Sequence, residues 1–137
     1  MPRSILALCL LAGLTGCSEP PRPACAPGLG SAVAVFTLLL GKAIPGRTDL
    51  TDAEWQSFLD TTVTATLPNG YTLYDGSGGW MNPITHRTIQ EGTKILLVAL
   101  PDVPASLAAI NRIRTDYQAR FHQQLVGMIV APACATF

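Results

Sequence analysis

Val33-Ala34-Val35-Phe36-Thr37-Leu38-Leu39-Leu40 and Lys94-Ile95-Leu96-Leu97-Val98-Ala99-Leu100 decide the fold of this chain. Each is a continuous apolar run of strand length, stopped by a breaker: Gly41 after the first, Pro101 after the second. An amphipathic strand alternates polar and apolar residues. A run that does not alternate predicts a strand with apolar residues on both faces, and so a central place in a sheet.

The segments between and after these runs supply the remaining elements. Thr51-Asp52-Ala53-Glu54 is a capping box, with Leu50 and Trp55 placed for a hydrophobic staple. It predicts a helix to about Thr62, with Trp55, Phe58, Leu59 and Thr62 or Val63 on one face. Leu67-Pro68-Asn69-Gly70 reads as a turn. Tyr71 to Asp75 alternates and is aromatic, as a strand would be. Gly76-Ser77-Gly78-Gly79 is expected to break or bulge that strand before Trp80-Met81 resumes it, and Asn82-Pro83 turns the chain. After Pro101 a helix is expected with Pro104 in its first turn. Leu107, Ile110, Ile113, Tyr117, Phe121 and Leu125 should form its buried face, and Gly127 should end it. Met128 to Ala131 is a short last strand, interrupted by Pro132.

The order β-α-β-β-α-β predicts an α+β, ferredoxin-like domain over residues 32–137. Its four-stranded antiparallel sheet has the spatial order 4-1-3-2, with both helices on one face. The two fully apolar runs then become the central strands. The glycine-rich strand and the proline-bearing strand become the edges, where a missing N–H does least harm.

Upstream, Arg3 precedes a short apolar run, Ile5 to Leu14, and then Leu14-Thr15-Gly16-Cys17. The run is too short to span a bilayer, which needs ~20 apolar residues. It fits the core of an export signal over residues 1–16. The tetrapeptide resembles a bacterial lipobox, with Cys17 as the lipid-bearing first residue of the mature protein. Several acyl chains on Cys17 would give a stable membrane anchor. Ser18 after the Cys favours the outer membrane by resemblance to enteric lipoproteins, facing the periplasm. Residues 17–31 carry four prolines between Ser18 and Ser31 and read as an extended spacer.

Cys9 leaves with the signal and Cys17 carries lipid, so Cys25 and Cys134 remain. In an oxidising compartment a Cys25–Cys134 disulfide is the leading reading. The alternatives are two free thiols or pairing with a second chain. The predicted topology favours the disulfide, because it sets the start of strand 1 beside the end of strand 4.

Nine basic residues balance nine acidic ones, and no basic stripe exists to hold a nucleic acid. His86 and His122 are the two histidines. With the cysteines committed elsewhere, no metal set forms and no cofactor motif is present. Gly76-Ser77-Gly78-Gly79 lacks the Lys-Ser/Thr of a phosphate loop and the leading glycine of a nucleophile elbow. Tyr71, Tyr74, Asp75, Trp80, His86 and Glu91 cluster around the strand 2–3 hairpin and are the candidate pocket. One arginine among Arg112, Arg114 and Arg120 is a candidate partner for Glu91 or Asp75.

The segments FTLLLG, AEWQSFLD, LPNGYTLYDGSGGW, IRTDYQARFHQQLV and PACATF, together with Glu91, resemble a bacterial family whose shared domain has no assigned function, domain of unknown function 3574. The resemblance runs from Phe36 to Phe137, and DGSGGW and YQARF are its most specific parts. It implies a small secreted or lipid-anchored envelope protein. It brings no reaction, cofactor or catalytic residue. Members often follow the tryptophan with charged residues, whereas Met81-Asn82-Pro83-Ile84 follows Trp80.

Both alternating sets of the central strands are apolar, yet helices cover one face only. The open face therefore needs a cover: a second copy, a small ligand, another envelope protein, the proline-rich segment, or the loops at 41–50 and 81–91. This predicts a non-catalytic binding or assembly domain that uses the open face to form a homodimer or to hold another envelope protein. The alternative is a small enzyme or ligand-binding dimer with its pocket near the strand 2–3 hairpin.

Overall fold

The computed structural model describes residues 25–82 and 85–137. The signal segment, Cys17 and most of the spacer lie outside the described residues. Among those described, no helix is long and apolar enough to cross a membrane.

Four strands form one antiparallel sheet: β1 (Ser31–Gly41), β2 (Thr72–Met81), β3 (Thr88–Pro101) and β4 (Gly127–Ala135), in the order β2-β3-β1-β4. This is the expected 4-1-3-2 arrangement, with the two apolar runs at its centre. The helical layer consists of α1 (Asp52–Phe58), a π-helical turn (Leu59–Val63), a short α2 (Thr64–Thr66) and α3 (Pro104–Phe121).

The capping box opens α1 as the sequence demands. The Thr51 hydroxyl accepts from the Glu54 amide at 3.3 Å, and the Glu54 carboxylate accepts from the Thr51 amide at 3.0 Å. The helical stretch then runs past the expected end near Thr62 to Thr66. The π turn inserts extra residues into the helical repeat, which keeps Phe58, Leu59 and Val63 all facing inward.

The core lies between the helices and one sheet face. Ala34, Phe36, Leu38 and Leu40 of β1 and Leu96 and Val98 of β3 pack there against Trp55, Phe58, Ile110, Ile113, Tyr117 and Phe121. Phe58 and Tyr117 meet edge to face at 5.2 Å between ring centroids, and Phe58 and Phe121 at 5.7 Å.

Several boundaries differ from expectation. β2 runs unbroken through Gly76–Gly79, in register with Gln90–Thr93. β3 begins at Thr88 rather than Lys94, which shortens the hairpin connection. β4 continues through Pro132 to Ala135; as an edge strand it pairs with β1 alone. Gly127 opens β4 instead of ending α3, which is closed by His122 in the left-handed region (φ 53°). Leu107 and Leu125 are exposed rather than buried, because the first lies near the N-terminal end of α3 and the second beyond its last turn. Cys25 and Cys134 are joined by a disulfide, with Cα atoms 5.8 Å apart, at the end of the sheet where β1 starts and β4 stops.

Candidate functional site

The open sheet face carries the candidate site. Since Leu38, Leu40, Leu96 and Val98 face the helices, their neighbours in β1 and β3 face the other way. Strand register then places Leu39, Gly41, Gly76, Gly78, Glu91, Thr93, Ile95 and Gly127 together at one end of this face. Four of the eight are glycines drawn from three strands, and neighbouring side chains occupy the space their side chains would fill. A Cβ on Gly76 would stand 3.1 Å from Ile95 Cδ1, and one on Gly127 would stand 3.2 Å from Leu39. These residues form the floor of a groove of about 840 Å³.

Three remote segments raise its walls. Ala43, Ile44 and Pro45 follow β1; His122 to Leu125 connect α3 to β4; Trp80, Asn82 and Ile89 come from the hairpin. Two of these walls are tied together, since Gln123 Nε2 donates to the Ala43 carbonyl at 2.6 Å. Arg114 steadies the same end of the sheet by donating to the Val126 carbonyl at 3.0 Å.

Glu91 stands on the groove floor. Its carboxylate accepts from the Ala43 amide at 3.4 Å, a long and weak hydrogen bond. It takes part in no ion pair among the described residues, where the pairs are Arg47–Glu54, Lys94–Asp75 and Arg112–Asp116. From beneath the sheet, the Tyr117 hydroxyl donates to the Gly41 carbonyl at 2.9 Å. Burial pushes the Tyr117 phenol well above its ordinary range, and the Glu91 charge adds to that.

Of the residues the sequence singled out, the structure brings Trp80 and Glu91 together in the groove. They are diagonal neighbours, because Trp80 pairs with Ile89 and Gly78 with Glu91. Tyr74 lies on the same face, half exposed, opposite Ile95 and outside the groove lining. Tyr71 does not join them; its hydroxyl shares a 2.9 Å hydrogen bond with Thr64 on the helix side. Asp75 also points to the helix face, where Lys94 hydrogen-bonds its carboxylate and holds it below the usual carboxylate range. His86 sits in the hairpin connection with φ 53°, its amide bonded to the Asn82 carbonyl, and is not part of the groove. No arginine of α3 reaches Glu91 or Asp75: Arg120 bonds Ser57 and Thr61, and Arg112 faces Asp116. Sequence reasoning missed the glycine floor and the His122–Leu125 wall. The available signal was the spacing of Gly76 and Gly78, two apart in a strand, which marks one face.

A second recess of about 450 Å³ lies between the helices, lined by Thr61, Thr62, Ala65, Ala108, Ala109 and the Arg112–Asp116 pair. Its charges satisfy each other. Among the described residues no group of three His, Cys, Asp or Glu is placed to hold a metal ion.

The family model for "Protein of unknown function (DUF3574)" matches residues 36–137, most of the chain. The chain belongs to this family. A search of curated proteins finds no match. Among solved structures, the family fold is shared with a phage SAM lyase in complex with S-methyl-5'-thioadenosine. That likeness has a TM-score of 0.58 at 12% identity, over 86% of this chain and 97% of the lyase. The apo form of a phage SAM lyase aligns with a TM-score of 0.54 at 10% identity, over 85% of this chain and 98% of the lyase. Identities this low establish a common fold alone.

Proposed function

We propose that this is a lipid-anchored protein of the bacterial envelope, most consistent with the outer membrane and facing the periplasm, whose domain binds a small molecule in the groove on its open sheet face. One observation carries the binding reading: a carboxylate without an ion-pair partner among the described residues stands on a glycine-rich groove floor beside Trp80. Grooves of this size with apolar walls and one or two convergent polar groups are the usual form of ligand sites. The anchor rests on Leu14-Thr15-Gly16-Cys17. It is tested by feeding cells an alkyne fatty acid. Label should enter the wild-type chain and vanish in Cys17→Ser; label retained in that variant would sink the assignment.

Native mass spectrometry of the periplasmically produced chain from Ser18 tests the binding reading. A retained small molecule, lost in Trp80→Ala, is the expected result. A bare protein that gains no mass from a periplasmic metabolite extract would overturn it. The same spectrum reads assembly. A dimer would place a second copy over the exposed apolar residues Leu39 and Ile129 of that face.

The fold shared with the SAM lyases supports a second reading, in which the groove holds an S-adenosyl compound and acts on it. Incubation with S-adenosylmethionine, followed by mass spectrometry for S-methyl-5'-thioadenosine, tests this. Absence of that compound above the protein-free control would end the enzyme reading.

A further inference from the structure

The sheet sorts its charges by face. Lys94 lies next to the groove in sequence, but register turns its ammonium to the helix side, where it meets Asp75 and lies 5.8 Å from the Trp55 ring centroid. Lys42 is turned the same way, against Gly92. The described residues lining the groove include no lysine or arginine; Glu91 is the one acidic group, and His122 is the other titratable side chain, on the rim. Among the described residues this half-buried carboxylate accepts one hydrogen bond, at 3.4 Å, and has no cationic partner. A positive ligand supplies what the protein withholds.

The neighbours narrow the class. Trp80 is diagonal to Glu91 across the β2–β3 pair, roughly 7–8 Å away by strand geometry. A cation over Glu91 is therefore within reach of the indole face, which attracts positive charge. Leu39, Ile44, Ile89, Ile95 and Leu125 line the rest of the groove with hydrocarbon. One carboxylate is too few ligands for a divalent metal ion, which seeks six or more oxygens.

We infer that the groove selects an organic monocation, an ammonium or sulfonium with an apolar or flat body, its charged head between Glu91 and Trp80 and its body along Leu39 and Ile95. This inference rests on the groove being a ligand site.

The test uses three probes of similar size and different charge: phenyltrimethylammonium, its neutral isostere tert-butylbenzene, and the anion benzenesulfonate. The chain from Ser18 to Phe137, which keeps every described residue, is titrated at low salt and pH 8. The readout is the Trp80 indole N–H resonance, with buried Trp55 as internal control. The expected result is that the cation binds roughly tenfold more tightly than the neutral isostere, and that the anion binds most weakly. In Glu91→Gln the preference for the cation should fall to within about threefold. Equal binding of cation and isostere, or tighter binding of the anion, would overturn the charge assignment while leaving a ligand site. No response of Trp80 to any probe would overturn both. The wild-type comparison decides the matter even if the Glu91 variant fails to fold.

Discussion

The Glu91 carboxylate lies so close over Gly41 that a Cβ added to Gly41 would stand 2.9 Å from Glu91 Oε1. Gly41 has an ordinary strand backbone, so an alanine there brings crowding without backbone strain. The atom it meets is the tip of a flexible side chain, and that tip swings aside at little cost.

Gly41→Ala therefore separates stability from binding. Thermal unfolding should shift by no more than a few degrees, the equivalent of under ~1 kcal/mol. Binding of a cationic probe should weaken severalfold, because the carboxylate has left its place. A large loss of stability with unchanged binding would show that Glu91 position is irrelevant to the groove.

Much of the scaffold was legible in the sequence, and the reasons are physical. VAVFTLLL and KILLVAL declare central strands because only a strand flanked on both sides and covered on one face by helices hides that much apolar surface. Thr51 and Glu54 declare a helix start because their bonds are local. A glycine in isolation weakens a strand, so the sequence suggests a break in β2. Here Ile95, Thr93 and Gln90 of β3 fill the space above Gly76, Gly78 and Gly79, and that depends on pairing no local window contains. Trp80 and Glu91 were found together because one hairpin carries both. The walls at Ala43 and at His122 to Leu125 come from distant parts of the chain, joined by the Gln123–Ala43 bond. Proximity in sequence suggests Asp75 and Tyr71 for the pocket, but the strand's two-residue period turns Asp75 to the opposite face.

The Lys94–Asp75 pair makes a prediction about acid. Lys94 lowers the Asp75 carboxyl below the usual range chiefly by hydrogen bonding, against a smaller opposing effect of burial. A depressed folded value means that the pair stabilises the fold above the unfolded carboxylate pKa of ~3.9 and ceases to do so as pH falls through the lower folded value. In Lys94→Met, a carbon-detected NMR titration should find the Asp75 carboxyl back in the usual range. The acid limb of the stability curve should lose the corresponding slope. An unmoved Asp75 would mean that Lys94 is not its partner in solution.

The Cys25–Cys134 disulfide joins residues 109 apart in sequence, for which chain entropy suggests ~4–5 kcal/mol. It lies at the end of β1 opposite the groove, roughly 30 Å away along the strand. The double variant Cys25→Ser, Cys134→Ser should lose well over ten degrees of thermal stability. At 20 °C, where the fold persists, its probe affinity should match the wild type. Equal melting temperatures would show that the bond adds nothing to stability; lost affinity in the folded variant would show the two ends to be coupled.

Tyr117 ties the core to the groove floor, and its titration has a definite sign. Its phenol is raised in the folded state by burial and by the Glu91 charge, so the folded chain holds this proton more tightly than the unfolded chain does. The stabilisation is complete below the unfolded tyrosine pKa of ~10 and declines as pH rises above it, with a slope approaching ~1.4 kcal/mol per pH unit. Tyr117→Phe should remove that share of the alkaline slope. It should also cost about 1–2 kcal/mol at neutral pH, because the hydrogen bond to the Gly41 carbonyl is lost. Urea unfolding of both proteins from pH 7 to pH 11.5 measures the two effects together. Identical alkaline slopes would mean that the phenol ionises in the folded protein as readily as in the unfolded chain.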